Sequence, residues 1–406
     1  MSKRRSAEEL PLFLLQKFIP LSLFDPVKNQ YLTWLEIDSG AFVSNMRTIK
    51  KLANGRQIAA AVKANGYGHG LPEMIQLLKE EKIGYIAVHS LEEATLARKH
   101  GWEGNILVLG YIQIQDLDSV LELRLEATVY NIETVEALGK AALNFRKKVD
   151  IHLKIETGTN RQGVEADKIE SFISTIKQYD FLNLKGVSTH FANIEDTTDH
   201  TYATYQLEEF NRIVSMIYKL GIKPEFRHTA CSAALLLFDE TKFELVRPGI
   251  AMYGLWPSKE TYLSYRLAGG LNSILNPILT WKTRIIQIKD VPPDAFIGYG
   301  CTYRTTSRTR LAVLPVGYYD GYDRSLSNLA YVLIKGKRAP VRGRICMNLM
   351  MVDVTDIEGV TLEEPVVLLG AGGDERIAAD QMAAWANTVN YEIISRINQE
   401  IPRIIV

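Results

Sequence analysis

The chain has 406 residues, enough for two or three domains at roughly 150 residues each. Its 47 Lys+Arg balance 47 Asp+Glu, which argues against a nucleic-acid binder, whose affinity rests on a basic face. Apolar residues make up 47%, as in a globular protein and unlike a disordered chain. Three scattered cysteines, Cys231, Cys301 and Cys346, exclude a disulfide framework and point to a reducing, cytoplasmic setting.

In chain order, residues 1–30 place Lys3, Arg4 and Arg5 before an apolar stretch that Pro11, Lys17 and Pro20 interrupt. This reads as an extension, not as a signal peptide or a membrane span. The domain over 39–270 alternates short β-branched runs with amphipathic helices. Strands are expected at 58–62, 85–88, 105–109, 127–130, 150–155, 184–189, 225–227 and 243–246, with helices such as 91–99, 132–142 and 202–218 between them. Eight strands with helices between most of them predict an α/β fold, a TIM-type (β/α)8 barrel, with an open doubly wound sheet as the alternative. From 271 to 406 the pattern changes to strands at 279–288, 310–316, 331–335 and 350–354, with turns at 292–294 and 370–374 and a late helix at 378–387. That predicts a β-rich C-terminal domain, to which an N-terminal strand within 31–38 is added.

The segment AAAVKANGYGHG (59–70) is the most specific. An apolar strand delivers Lys63 to its C-terminal end, where barrels build their active sites. Burial there lowers an amine's pKa from about 10.4, as Schiff-base chemistry requires. Taken alone, a lysine after a strand is more often a surface residue. VKANGYGHG, however, resembles the cofactor-lysine signature of the alanine racemases, and the resemblance recurs in order in about six blocks, from LTWLEID at Leu32 to NYE at 390–392. The family implies a barrel, a C-terminal β domain and pyridoxal 5'-phosphate.

The resemblance implies a role for each matching residue. Lys63 attaches the cofactor, and Tyr67 bonds its phosphate. HTACSAA (228–234) gives Ser232 to the phosphate, with Cys231 where Asn is frequent. VRPGIAMYG (246–254) sets Arg247 against the pyridine nitrogen and gives the Gly249 and Ile250 amides to the phosphate, which Tyr391 closes. A guanidinium cannot take the ring proton, so the ring is a weaker electron sink than one paired with a carboxylate. Two bases are then needed, Lys63 on one face of the substrate and Tyr299, in GYGCT, on the other; His190, in STHFA, links that tyrosine to Arg247. Lys154 and Arg161, in KIETGTNRQG, resemble a carbamylated lysine and the arginine that it orients toward the substrate carboxylate. Met347, in RICMN, adds its amide from the other subunit, beside Asn348 where Asp is common. Tyr318 narrows the entrance, and Leu109 lies against the ring.

The expectation is an isomerase, an alanine racemase with a two-base mechanism that supplies D-alanine for bacterial peptidoglycan. The alternative is a racemase of the same fold for serine, lysine or a broader set of amino acids. The implied partners are alanine and a second copy of the chain in a homodimer with shared sites, with neither nucleic acid nor membrane. No two of the seven histidines show metal-ligand spacing, so no metal is expected.

Overall fold

The computed structural model describes residues 31–270 and 274–406; the 1–30 extension lies outside the described residues, as do the first residues after the expected boundary at 270. Strand β1 (Thr33–Ile37) leads into the helix Ser39–Ala53, capped where Asp38 accepts the Ala41 amide at 2.8 Å. Eight parallel strands follow: β2 (Gln57–Ala61), β3 (Tyr85–Val88), β4 (Asn105–Val108), β5 (Glu126–Val129), β6 (Val149–Lys154), β7 (Leu182–Ser188), β8 (Phe226–His228) and β9 (Leu245–Val246). Their ladders run in the order β8-β7-β6-β5-β4-β3-β2-β9. The last seam, between β8 and β9, has no ladder and is bridged instead. The Arg247 amide reaches the Ala230 carbonyl at 2.9 Å, and Arg227 pairs with Glu244. The barrel expected from the sequence is therefore present and nearly closed.

The pleat decides what faces the barrel axis, since side chains alternate along a strand. On β6, Val149, Ile151 and Leu153 pack in the main core, while His152 and Lys154 take the other face. A small separate cluster of Ala59, Tyr85, Ala87, Leu107 and Leu245 fills the lower interior. It makes a floor, and the cavity opens above it.

The second domain contains β10 (Leu279–Arg284), β11 (Gln287–Val291), β12 (Phe296–Ile297), β13 (Tyr303–Arg304), β14 (Thr309–Leu314), β15 (Tyr331–Ile334), β16 (Lys337–Pro340), β17 (Met350–Asp353), β18 (Pro365–Gly372), β19 (Glu375–Ile377) and β20 (Arg403–Ile405). One sheet runs β16-β15-β18-β10-β1-β20 and another β11-β14-β17. The expected strand at 279–288 is in fact two strands in different sheets. Consecutive amides show the switch: Ile285 bonds to the Glu364 carbonyl and Ile286 to that of Val313. The turn expected at 370–374 begins late, because β18 continues through Gly370 and Gly372. Strand β1 lies between β10 and β20, with Leu35 opposite both Trp281 and Arg403. Both ends of the described chain thus meet in one sheet beside the barrel.

Candidate active site

Lys63 follows β2 after one residue, and the turn that carries it is left-handed. Ala64, Asn65, Gly66 and Tyr67 have φ of 54°, 53°, 61° and 52°. Each non-glycine residue held this way costs roughly 1–2 kcal/mol, so the turn is strained and other contacts must hold it. A Cβ on Gly68 would lie 1.9 Å from the Ile394 carbonyl oxygen, which leaves room only for glycine. The turn brings Lys63 and Tyr67 to one cavity of about 530 Å³. Burial, and after it the charge of Arg161, lowers the Lys63 pKa. An amine tuned this way is a better nucleophile and base at neutral pH.

The same cavity is lined by Leu109, Lys154, Arg161, His190, Ser232, Arg247, Gly249, Ile250 and Tyr391, so a single chain gathers most of the residues singled out in the sequence. Tyr67 packs on Tyr253 at 4.9 Å, and a Cβ on Gly249 would meet its hydroxyl at 2.3 Å. Ser232 Oγ accepts the Gly249 amide at 2.9 Å and the Ala251 amide at 3.3 Å. The Ile250 amide, first in a short 3-10 turn (Ile250–Tyr253), has no acceptor among the described residues. Thr128 Oγ1 is buried on the cavity wall, also without a partner. Four cations, Lys63, Lys154, Arg161 and Arg247, face one carboxylate, Glu195. Burial raises the Glu195 pKa, and its carboxylate accepts from the Tyr391 hydroxyl at 3.0 Å. Open donors and excess positive charge suit an anion such as a phosphate.

Arg247 ends a buried chain of hydrogen bonds. Its guanidinium donates to His228 Nδ1 at 2.5 Å, to the His228 carbonyl at 2.6 Å and to the Thr189 carbonyl at 2.9 Å. His228 Nε2 lies 2.8 Å from His152 Nδ1, and His152 Nε2 lies 2.8 Å from Glu126. Glu126 pairs with Lys185 at 2.7 Å, and Tyr85 also bonds to it. Because the guanidinium only donates, each imidazole must accept at Nδ1 and donate at Nε2, and both stay neutral. Burial and the Arg247 charge hold the His228 pKa well below normal, consistent with that direction. A Cβ on Gly186 would sit 2.1 Å from His152 Nδ1, so that glycine makes the space for the ring.

His190 bonds through its carbonyl to Thr159 Oγ1 at 2.6 Å. Its ring makes no hydrogen bond to Arg247 within one chain, but burial and the charges of Arg247 and Lys154 push its pKa to about 3. Lys154 lies 3.3 Å from Gln162 Oε1, and burial together with Arg247 and Arg161 lowers its pKa to about 8. The Arg161 guanidinium makes no ion pair among the described residues. Tyr299, Met347 and Tyr318 do not line this cavity. They lie in the second domain, 73%, 55% and 43% exposed. Sequence reasoning missed His152, His228, Glu126, Glu93 and Glu195, although polar residues at alternate positions of 126–130 and 150–154 carried a signal.

The alanine racemase N-terminal domain model matches residues 37–257, and the alanine racemase C-terminal domain model matches 278–405. The chain belongs to the alanine racemase family. The alanine racemase of Leptospira interrogans serovar Lai is 37% identical over 381 residues, covering 94% of this chain and 97% of that one. The alanine racemase of Halothermothrix orenii is 37% identical over 91% of this chain and 96% of its own. Among solved structures, the Bacillus anthracis alanine racemase with bound L-Ala-P superposes with a TM-score of 0.86 at 34% identity, covering 93% of this chain and 95% of that one. These matches to alanine racemases extend across both domains, so the family resemblance covers the β domain as well as the barrel.

Proposed function

We propose that this protein interconverts L- and D-alanine with pyridoxal 5'-phosphate as cofactor, and that it works as a homodimer. The observation that carries the reading is the cavity itself. A desolvated Lys63 and the guanidinium of Arg247 line it together, within a chain of the racemase family. The residues fit the cofactor. Lys63 would attach it, and Tyr67, Ser232, Tyr391 and the Gly249 and Ile250 amides would hold the phosphate. Arg247 would donate to the ring nitrogen, since it has no proton-accepting atom. Once bound, the cofactor supplies an electron sink that acidifies the substrate's α-hydrogen.

The protein's part is proton traffic and orientation. Arg161 holds the substrate carboxylate, and a carbamate on Lys154 would hold Arg161 by charge. Lys63 Nζ removes or returns the α-proton on one face. Tyr299 of a second copy does so on the other, supported by His190, with Met347 and Tyr318 at the entrance. A proton taken on one face and given on the other inverts the carbon. Such an activity would supply D-alanine for cell-wall peptidoglycan.

The test is to incubate the purified protein with each L-amino acid and measure D-enantiomer by chiral chromatography. Alanine should react fastest. Faster turnover of serine or lysine would shift the reading to a relative of different specificity.

A further inference from the structure

Ala64 to Gly68 form the longest run of consecutive positive φ among the described residues. Backbone held against its preference needs a compensating partner. The first amides of a helical turn find no carbonyl within it, and those of Ala64 and Asn65 are among them here. Glu93 supplies the acceptor. Its Oε1 takes the Ala64 amide at 2.6 Å and the Asn65 amide at 3.4 Å, and its Oε2 takes the His89 amide at 2.7 Å.

Glu93 is the third residue of the helix Leu91–Lys99, and the N-cap Ser90 accepts the Glu93 amide at 3.3 Å. A glutamate at this position ordinarily bonds back to the N-cap amide. Here it reaches one residue earlier and across to the turn after β2, joining the ends of two adjacent barrel strands. We propose that Glu93 is a positioning residue for Lys63, capping the left-handed turn so that Lys63 and Tyr67 enter the same cavity. This rests on the reading of Lys63 as the cofactor-bearing base.

Charge gives the residue a second effect. Beside burial, which lowers the Lys63 pKa most, the nearby charges act on it: Arg161 and Arg247 lower it, Glu93 and Glu195 raise it, and Lys154 shares the same repulsion. Removing the Glu93 charge should therefore make the amine easier to deprotonate, which a purely structural contact would not do.

The test uses the full chain. In Glu93→Ala, amide hydrogen exchange over residues 62–70 should quicken by tenfold or more, while the other barrel strands stay protected. In Glu93→Gln, which keeps shape without charge, the pH midpoint for acylation of Lys63 in the cofactor-free chain should fall by about half a unit. Adding Ala64→Gly to Glu93→Ala should slow exchange again, because glycine takes positive φ without strain. Unchanged exchange and an unchanged midpoint would overturn the proposal. So would faster exchange spread evenly over the barrel, or failure of the glycine to restore protection. If the protein racemises no amino acid the proposed activity falls, yet exchange and acylation still decide the role of Glu93.

Discussion

Arg247 is anchored by a one-way series of donors that ends on the Glu126 carboxylate. Burial lowers its pKa only to about 10, so it stays a cation at neutral pH. A carboxylate in its place would accept or share the ring proton and strengthen the electron sink. Arg247→Glu should therefore slow racemisation on the order of 10²-fold and raise the share of turnovers that release pyruvate by transamination. Arg247→Lys, which keeps a charge without an acceptor, should slow the reaction without raising that share. Pyruvate measured against D-alanine decides between them. Lys154 makes a second case. A pKa near 8 leaves about a tenth of its amine neutral at pH 7, against well under a thousandth for an ordinary lysine. Neutral amine is the form that combines with carbon dioxide. In Lys154→Ala, added acetate should recover part of the lost activity by standing in for the carbamate beside Arg161. Equal activity with and without acetate would remove the carbamate from the mechanism. Lys63 and Arg247 could be read from the sequence because each lies in a block, VKANGYGHG and VRPGIAMYG, that resembles the family; either residue alone would read as surface or structural. Glu93 and Glu195 could not, since glutamates early in a helix or in a loop look like solvated charge until the backbone places them.

At the scale of elements, the barrel strands were legible because burial on both faces makes them short, mostly apolar runs, and helix periods between them gave the barrel. Strand β18 was not, because glycines that read as a turn lie inside a strand where a Cβ on Gly370 would lie 2.7 Å from Thr280 Oγ1. The left-handed lysine turn was also invisible, as only Gly66 and Gly68 hint at it. His69 completes that turn and gives it a pH dependence. Its Nδ1 lies 3.0 Å from the Tyr67 carbonyl, its Nε2 is buried with no partner among the described residues, and its ring packs on Tyr253 at 4.4 Å. Burial lowers its pKa to about 4. The unfolded chain would bind the proton near 6.5, so the native state is favoured above that pH. This advantage is lost as the pH falls from 6.5 toward 4. Between pH 7 and 5 the loss from this one group is about 2 kcal/mol. His69→Gln should be less stable at pH 7, yet its stability should fall less on acidification. Denaturant unfolding at pH 7 and 5 measures the difference, and parallel pH profiles would show that His69 is not the group responsible.

At the scale of the molecule, the cavity holds Lys63, but Tyr299, the other proposed base, stands elsewhere and exposed. Both bases must approach within roughly 3–3.5 Å of one substrate carbon. Tyr299, Met347 and Tyr318 all project from the second domain, with Phe296 and Leu349 also exposed there. Isolated apolar groups on a surface are ordinary, but these include three of the residues assigned to substrate and entrance. A head-to-tail pair, each second domain covering the other copy's barrel mouth, would bring them to the cavity, and twofold symmetry would build two sites at once. The prediction follows from counting residues. Lys63→Ala and Tyr299→Phe should each be nearly inactive alone. Mixed and allowed to exchange subunits, they form a heterodimer in which one site has both wild-type bases and the other has neither. Activity per heterodimer should then approach half that of the wild type. If native mass spectrometry confirms exchange and activity stays at the level of the single variants, each subunit works alone. The second base must then be sought among residues that already line the cavity, such as His190 or Tyr391.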